Sequence, residues 1–247
     1  NEYDKMMTAI GSEGTNAYTS NDVTCYVENI PSNELDTWAK VQGDRFQNMV
    51  IRGFHTELEA VYEEYNIGLS SDWRKMYAAL FAKLFPTHPY GTQTTIGLGE
   101  HLKNPSITNI KNYFNKYYVP NNVAICLSGD LNPDETVAAI EKYFGNWKPS
   151  AHIDVPQFPV QPTLTAPVDT TIIGKEAPSF FMGWRAEASN SLQMDTLEIV
   201  AQLLSNGAAG LFDLDLTQKL KVQEVGAGVS DMNDYSVFYI YGQPKKG

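Results

Sequence analysis

The 247-residue sequence predicts an α+β fold built as two tandem copies of one helix-and-strand unit, and three observations predict it. Stretches with apolar residues at helical spacing are interleaved with paired runs of β-branched and aromatic residues, so helices and neighbouring strands share the chain. The run KPSAHIDVPQFPVQPTLTAP, from Lys148 to Pro167, carries five prolines and interrupts that pattern as an extended connector does. Beyond it the order of elements restarts. DKMMTAIG, TNAYTSND and TCYVENI are echoed by LDLTQKLKV, GAGVSDMND and SVFYIYG, with Ala17 and Ser20 matching Ala227 and Ser230. The match is better in order than in identity. The expected division is a first domain over 1–150, a linker over 151–167 and a second domain over 168–247. Both copies read as truncated, the first before Asn1 and the second after Gly247.

Each element has its own signal. NEYDKMMTAIG is a short amphipathic helix stopped by Gly11, and TNAYTS and VTCYVEN are strands joined at Asn21-Asp22. Ser32 or Asn33 is placed to cap a helix through LDTWAKVQGDRF. A glutamate-rich helix follows, then the strongly apolar helix DWRKMYAALFAKLFP. THPYGTQTTIGLGEH reads as a loop. Pro105-Ser106 opens the helix SITNIKNYFNKYY, VAICLSGD is a buried strand, and Pro133 starts the helix ETVAAIEKYFGNW. In the second part DTTIIGKE and SFFMGWRAE are strands, Leu192 to Leu204 is a helix, and SNGAAG is a loop. LFDLDLTQKLKV is a further helix before the strands VGAGVSD and YSVFYIYG.

Composition narrows the function classes. A formal net charge of −11 lacks the cationic footprint that phosphate backbones and anionic membranes require. No apolar run reaches the length of a membrane span. Cys25 and Cys126 lie in apolar strand-like runs without CxxC spacing and read as two buried free thiols. The polar opening NEYDK carries no signal-peptide pattern.

Chemistry concentrates in FHTELEAVYEEYN, from Phe54 to Asn66. On a helix, Leu58, Val61, Tyr62 and Tyr65 share an arc of about 100°, and Glu59 and Glu63 fall opposite. Glu57 and Glu64, seven residues apart, project from nearly the same angle, at the border of the apolar face. Carboxylates at a buried border call for a positive partner. That partner is Lys or Arg on one reading, and a metal ion on the other.

The runs NEYDKMMTAIGSEGTNAYTSNDVTCYVEN, GDRF, ELEAVYEE, HPYG, YFNKYYVPNNVAICLSGD and EKYFGNW together resemble the pitrilysin/insulinase family of zinc peptidases. The resemblance is strong to about Trp147 and looser afterwards, where SNGAAG is similar to a glycine-containing loop of the family's second domain. It implies that each unit is a mitochondrial-processing-peptidase-like α/β sandwich. It further implies a Zn²⁺ centre whose two histidines and glutamate general base come from an inverted HxxEH helix. Carried over residue by residue, Glu64 matches the third zinc ligand and Glu57 the supporting acid beside it. Asn16, Ala17, Tyr18 and Thr19 match an edge strand that holds peptide substrate by strand addition.

One departure is large. No HxxEH occurs, and His55, His88, His101 and His152 have other spacings and read as surface or loop histidines. By family spacing, the two zinc-binding histidines and the general base fall before Asn1. A lone carboxylate does not make a tetrahedral zinc site. The expectation is therefore a piece of a zinc metalloendopeptidase that binds no zinc and is inactive by itself. The alternative is a non-catalytic, peptidase-like partner subunit. The helix at Leu192 to Leu204 has no histidine, so the second copy reads as structural. Uncovered sheet edges suggest a homo-oligomer, and family analogy alone suggests a bacterial periplasmic or secreted setting.

Overall fold

The structure, a computed structural model, describes residues 2–245. Its backbone falls into two compact units, Asn1–Glu59 with Glu100–Gln157, and Ala60–Gly99 with Phe158–Gly247.

The first unit begins with helix α1 (Glu2–Ala9), which ends at Gly11 with φ +83°. Strands β1 (Gly14–Thr19) and β2 (Thr24–Asn29) form an antiparallel hairpin, with Gly14 opposite Asn29 and Thr19 opposite Thr24. Helix α2 (Leu35–Gln47) packs on α8 (Pro133–Phe144), and α7 (Ile107–Tyr117) completes the unit. Met7, Trp38 and Ala39 form its buried centre, with Leu127, Ile140 and Tyr143 leaning on it. Gly43 lets α2 and α8 approach closely, since a Cβ there would stand 3.0 Å from the Tyr143 carbonyl oxygen. The Gln47 amide closes that contact by donating to the carbonyls of Gly43 and Tyr143, at 2.7 and 2.9 Å.

Beneath β2 lies a polar cluster. The Glu28 carboxylate accepts from the Tyr3 hydroxyl at 2.5 Å, Gln42 Nε2 at 3.1 Å and Arg45 at 3.4 Å. The Arg45 guanidinium also stacks over the Tyr3 and Tyr26 rings, 4.2 and 4.6 Å from their centroids. Burial first, and then the Glu28 carboxylate, push the Tyr3 phenol up to about 12.

In the second unit, strands β3 (Phe180–Ala186), β4 (Val222–Ser230) and β5 (Ser236–Pro244) make one antiparallel sheet in the order β3-β5-β4. Helix α4 (Asp72–Leu84) covers one face through Trp73 on Phe181, 4.7 Å between centroids, and Tyr77 on Phe181, at 6.3 Å. Helix α9 (Leu192–Leu204) packs against β4. The core is Phe81, Leu84, Phe85, Tyr90, Met232 and Val237. The end of the proline run is fastened here. Gln161 is buried, accepts from the Thr87 N–H and donates its own N–H to the Tyr235 hydroxyl.

Several sequence expectations are corrected. VAICLSGD (123–130) and DTTIIGKE (169–176) are not strands, because no neighbouring strand among the described residues pairs with either. Cys126 is accordingly exposed and Cys25 only half-buried, although both are free thiols. Neither Ser32 nor Asn33 caps α2. A 3₁₀ turn, Ser32–Glu34, leads into the helix, and its N-terminal residue Glu34 makes no capping bond. The stretch from Thr87 to His101 holds two short helices, α5 (Pro89–Thr92) and α6 (Gly99–Lys103). LFDLDLTQKLKV is a helical turn that widens to π geometry at Asp213–Thr217 and ends at Leu220 with φ 54°. His88 is no surface residue, being 1% exposed.

Candidate functional site

Helix α3 (Phe54–Ser70) begins where Gly53 adopts φ +62° and its carbonyl accepts the Glu57 N–H at 3.1 Å. The helical phase read from sequence holds, with Leu58, Val61, Tyr62 and Tyr65 half-buried and all four glutamates of the motif exposed. Tyr62 and Tyr65 stack at 6.2 Å, and Gly99 lies against the Tyr65 ring. Glu57 and Glu64 stand two turns apart, about 10 Å along the axis and about 20° apart around it. The expected buried border is corrected. Both carboxylates are in water, and neither has an ion-pair partner among the described residues, so no desolvation cost calls for one.

Among the described residues, no group of three or more His, Cys, Asp or Glu is close enough to hold a metal ion. The residues present therefore do not fit a zinc site by themselves, because Glu64 offers one carboxylate where a tetrahedral centre takes four ligands. The four histidines do not gather at α3. His55, on its first turn, and His101 and His152 are exposed, while His88 is buried in the second unit.

Asn16 to Thr19 lie on β1, exposed throughout, with the Tyr18 ring 57% accessible. The Ser20 N–H donates to the Val23 carbonyl at 2.8 Å, continuing the hairpin register. Because hydrogen-bonded pairs alternate in an antiparallel ladder, Asn16 and Tyr18 bond inward to β2. The backbone groups of Thr15, Ala17 and Thr19 point away from it. That outer edge pairs with no strand among the described residues. The Ala17 N–H instead meets the Asn16 side-chain oxygen at 2.8 Å.

Sequence reading missed the organiser of SNGAAG. Asp213 is buried, and its carboxylate accepts the N–H groups of Asn206 at 2.9 Å and Gly210 at 3.0 Å. The Asn206 side chain takes those of Ala208 and Ala209. The backbone N–H of Asn206 foremost, with those of Gly210, Gly207 and Ala208, holds the Asp213 carboxyl below the usual carboxylate range. The available signal was an aspartate three residues after a glycine-closed loop, a spacing that also occurs by chance.

The mixed helix-and-sheet fold that carries α3 and the open β1 edge matches M16-like peptidase structures. The profile of the Peptidase M16 inactive domain matches residues 106–247, more than half of the chain. The chain belongs to the M16 family of zinc metallopeptidases. It is 23% identical over 254 residues to the zinc protease PqqE of Helicobacter pylori, covering 96% of this chain and 54% of that protein. The chain thus spans about half the length of this curated relative. Among solved structures, a protease from Helicobacter pylori superposes with a TM-score of 0.87 at 22% identity, covering 99% of this chain and 60% of the other. A putative M16-like peptidase from Alicyclobacillus acidocaldarius gives 0.76 at 16% identity, covering 100% of this chain and 60% of the other. At these identities the likeness shows the shared fold.

Proposed function

We propose that this chain contributes an acidic helix and a substrate-holding strand edge to a zinc-dependent metalloendopeptidase acting on peptides or small proteins. Glu64 is its metal-binding carboxylate, Glu57 the acid that supports it, and Asn16 to Thr19 the edge on which an extended peptide adds as a strand. The observation that carries this reading is the open edge of β1, where Ala17 and Thr19 turn their backbone groups away from β2. The two histidines and the general base are absent from these 247 residues, so the chain alone is inactive. In this reading 1–150 and 168–247 are homologous domains joined by 151–167, and the second is non-catalytic.

A second reading has its own support. The matching family profile describes an inactive domain, which fits a non-catalytic partner that binds substrate or completes a chamber. An NMR titration with an unstructured peptide tests the edge common to both readings. The Ala17 and Thr19 amides should shift and gain protection; no change at either contradicts both.

A further inference from the structure

Asn206-Gly207 is the single Asn-Gly pair in the sequence, and it lies in SNGAAG. In a flexible chain such a pair is chemically unstable. The glycine nitrogen has no Cβ beside it, so it reaches the asparagine Cγ and closes a five-membered imide. The N–Cγ bond forms, the Cγ–Nδ2 bond breaks, and ammonia leaves with the proton of the glycine N–H. Water then opens the imide at either carbonyl. One opening gives aspartate, and the other gives isoaspartate, whose main chain runs through Cγ. Water is the only co-reactant.

Exposure alone would let this reaction run. Asn206 and Gly207 are both exposed, and Gly207 has φ +80° with nothing near the place of a Cβ. The hydrogen bonds oppose it. Asn206 Oδ1 accepts the N–H groups of Ala208 at 3.0 Å and Ala209 at 2.9 Å, and Nδ2 donates to the Gln202 carbonyl at 3.1 Å. The Asn206 N–H is held by Asp213 at 2.9 Å. Ring closure must carry Cγ from non-bonded contact to bonding distance of the Gly207 nitrogen. The amide cannot make that movement while both its ends keep partners on three other residues. The Asp213 carboxylate also draws the Gly207 N–H, and a negative neighbour opposes loss of the proton that makes this nitrogen a nucleophile.

We infer that Asn206-Gly207 is a latent deamidation site, held off by the Asp213 collar and released when the loop opens. The change runs one way. It sets a second carboxylate beside Asp213, where like charges repel, and the isoaspartate product also lengthens the main chain by one carbon. A loop that has reacted therefore does not close on Asp213 as before.

The full chain and the free peptide of residues 202–211, QLLSNGAAGL, are incubated side by side at neutral pH. Mass spectrometry and isoaspartate content follow conversion at Asn206. The full chain should react roughly tenfold more slowly than the peptide, because reaction waits on local opening. Asp213→Asn should recover much of that difference while amide exchange in β5 stays slow. Gln218 supplies an independent arm, since its Nε2 donates to the Ala208 carbonyl at 2.9 Å from outside the collar. Gln218→Ala should also quicken conversion, with the melt unchanged. A full chain that reacts as fast as the peptide overturns the restraint. So does an unchanged rate in Asp213→Asn with β5 protection intact. If that variant loses β5 protection, an unchanged rate in Gln218→Ala overturns it instead.

Discussion

His88 Nε2 and Asp234 Oδ2 meet at 3.0 Å across 146 positions of sequence. The other ring nitrogen, Nδ1, accepts the Tyr90 N–H at 3.2 Å, so the ring proton sits on Nε2 and is donated to the aspartate. Phe85, Tyr90, Phe158 and Tyr235 surround the ring. One imidazole thus caps the α5 turn and ties it to the β4–β5 connection.

His88→Ala removes that cap and leaves a hole among aromatic rings. The expected loss is about 2–4 kcal/mol of unfolding free energy, as for other buried, hydrogen-bonded side chains. The exposed His101→Ala should change it by less than about 0.5 kcal/mol. Urea denaturation of the two variants makes the comparison, and equal midpoints would refute the assignment.

The Glu28 cluster gives a second stability prediction. Its side chain is 6% exposed, and Glu28→Ala strands the Tyr3 hydroxyl, Gln42 and Arg45 together. A cost of about 3 kcal/mol is expected from leaving a partly buried guanidinium without its carboxylate. Ultraviolet titration of tyrosine should show the Tyr3 phenol ionising near 12 in the native chain and earlier in Glu28→Ala.

Asp213 sets an acid limit on the SNGAAG loop. Its folded value lies below the ordinary 3.8, so its contribution is fully present above that value and is lost as pH falls through the lower, folded one. Asp213→Asn replaces an ionised acceptor by a weaker, neutral one. Amide exchange at Asn206 and Gly210 should therefore quicken at neutral pH, with little change in β5. Unaltered exchange in the variant would remove Asp213 as the organiser.

The roles proposed for Glu57 and Glu64 are tested with and without zinc. All four are exposed, so each Glu→Gln change at 57, 59, 63 and 64 should shift this chain's stability by less than about 0.5 kcal/mol. In a longer protein that carries the HxxEH helix, Glu64→Gln should abolish zinc retention measured by elemental analysis. Glu57→Gln should keep most of the metal and lower activity about 10- to 100-fold. Reversed behaviour, or a large effect at Glu59 or Glu63, would refute the proposed roles.

Local physics alone determined a good part of this protein. The 3.6-residue spacing of Leu58, Val61, Tyr62 and Tyr65 settles the phase of α3, because helical geometry needs no distant partner. The Ser106 and Asn132 caps and the Asn21-Asp22 turn mark element ends through bonds within a few residues. Tertiary structure decided whatever required a second segment. VAICLSGD and DTTIIGKE carry strand composition, yet a strand exists only where another backbone supplies its hydrogen bonds, so both stay unpaired. The exposure of Glu57 and Glu64 depends on what packs beside α3, which no helical wheel contains. The burial of His88, the clamps of Asp72 and Gln161 on distant chain, and the collar of amides around Asp213 join groups whose spacing along the chain carries no regular period. Periodicity reports one element at a time, and these contacts are made between elements.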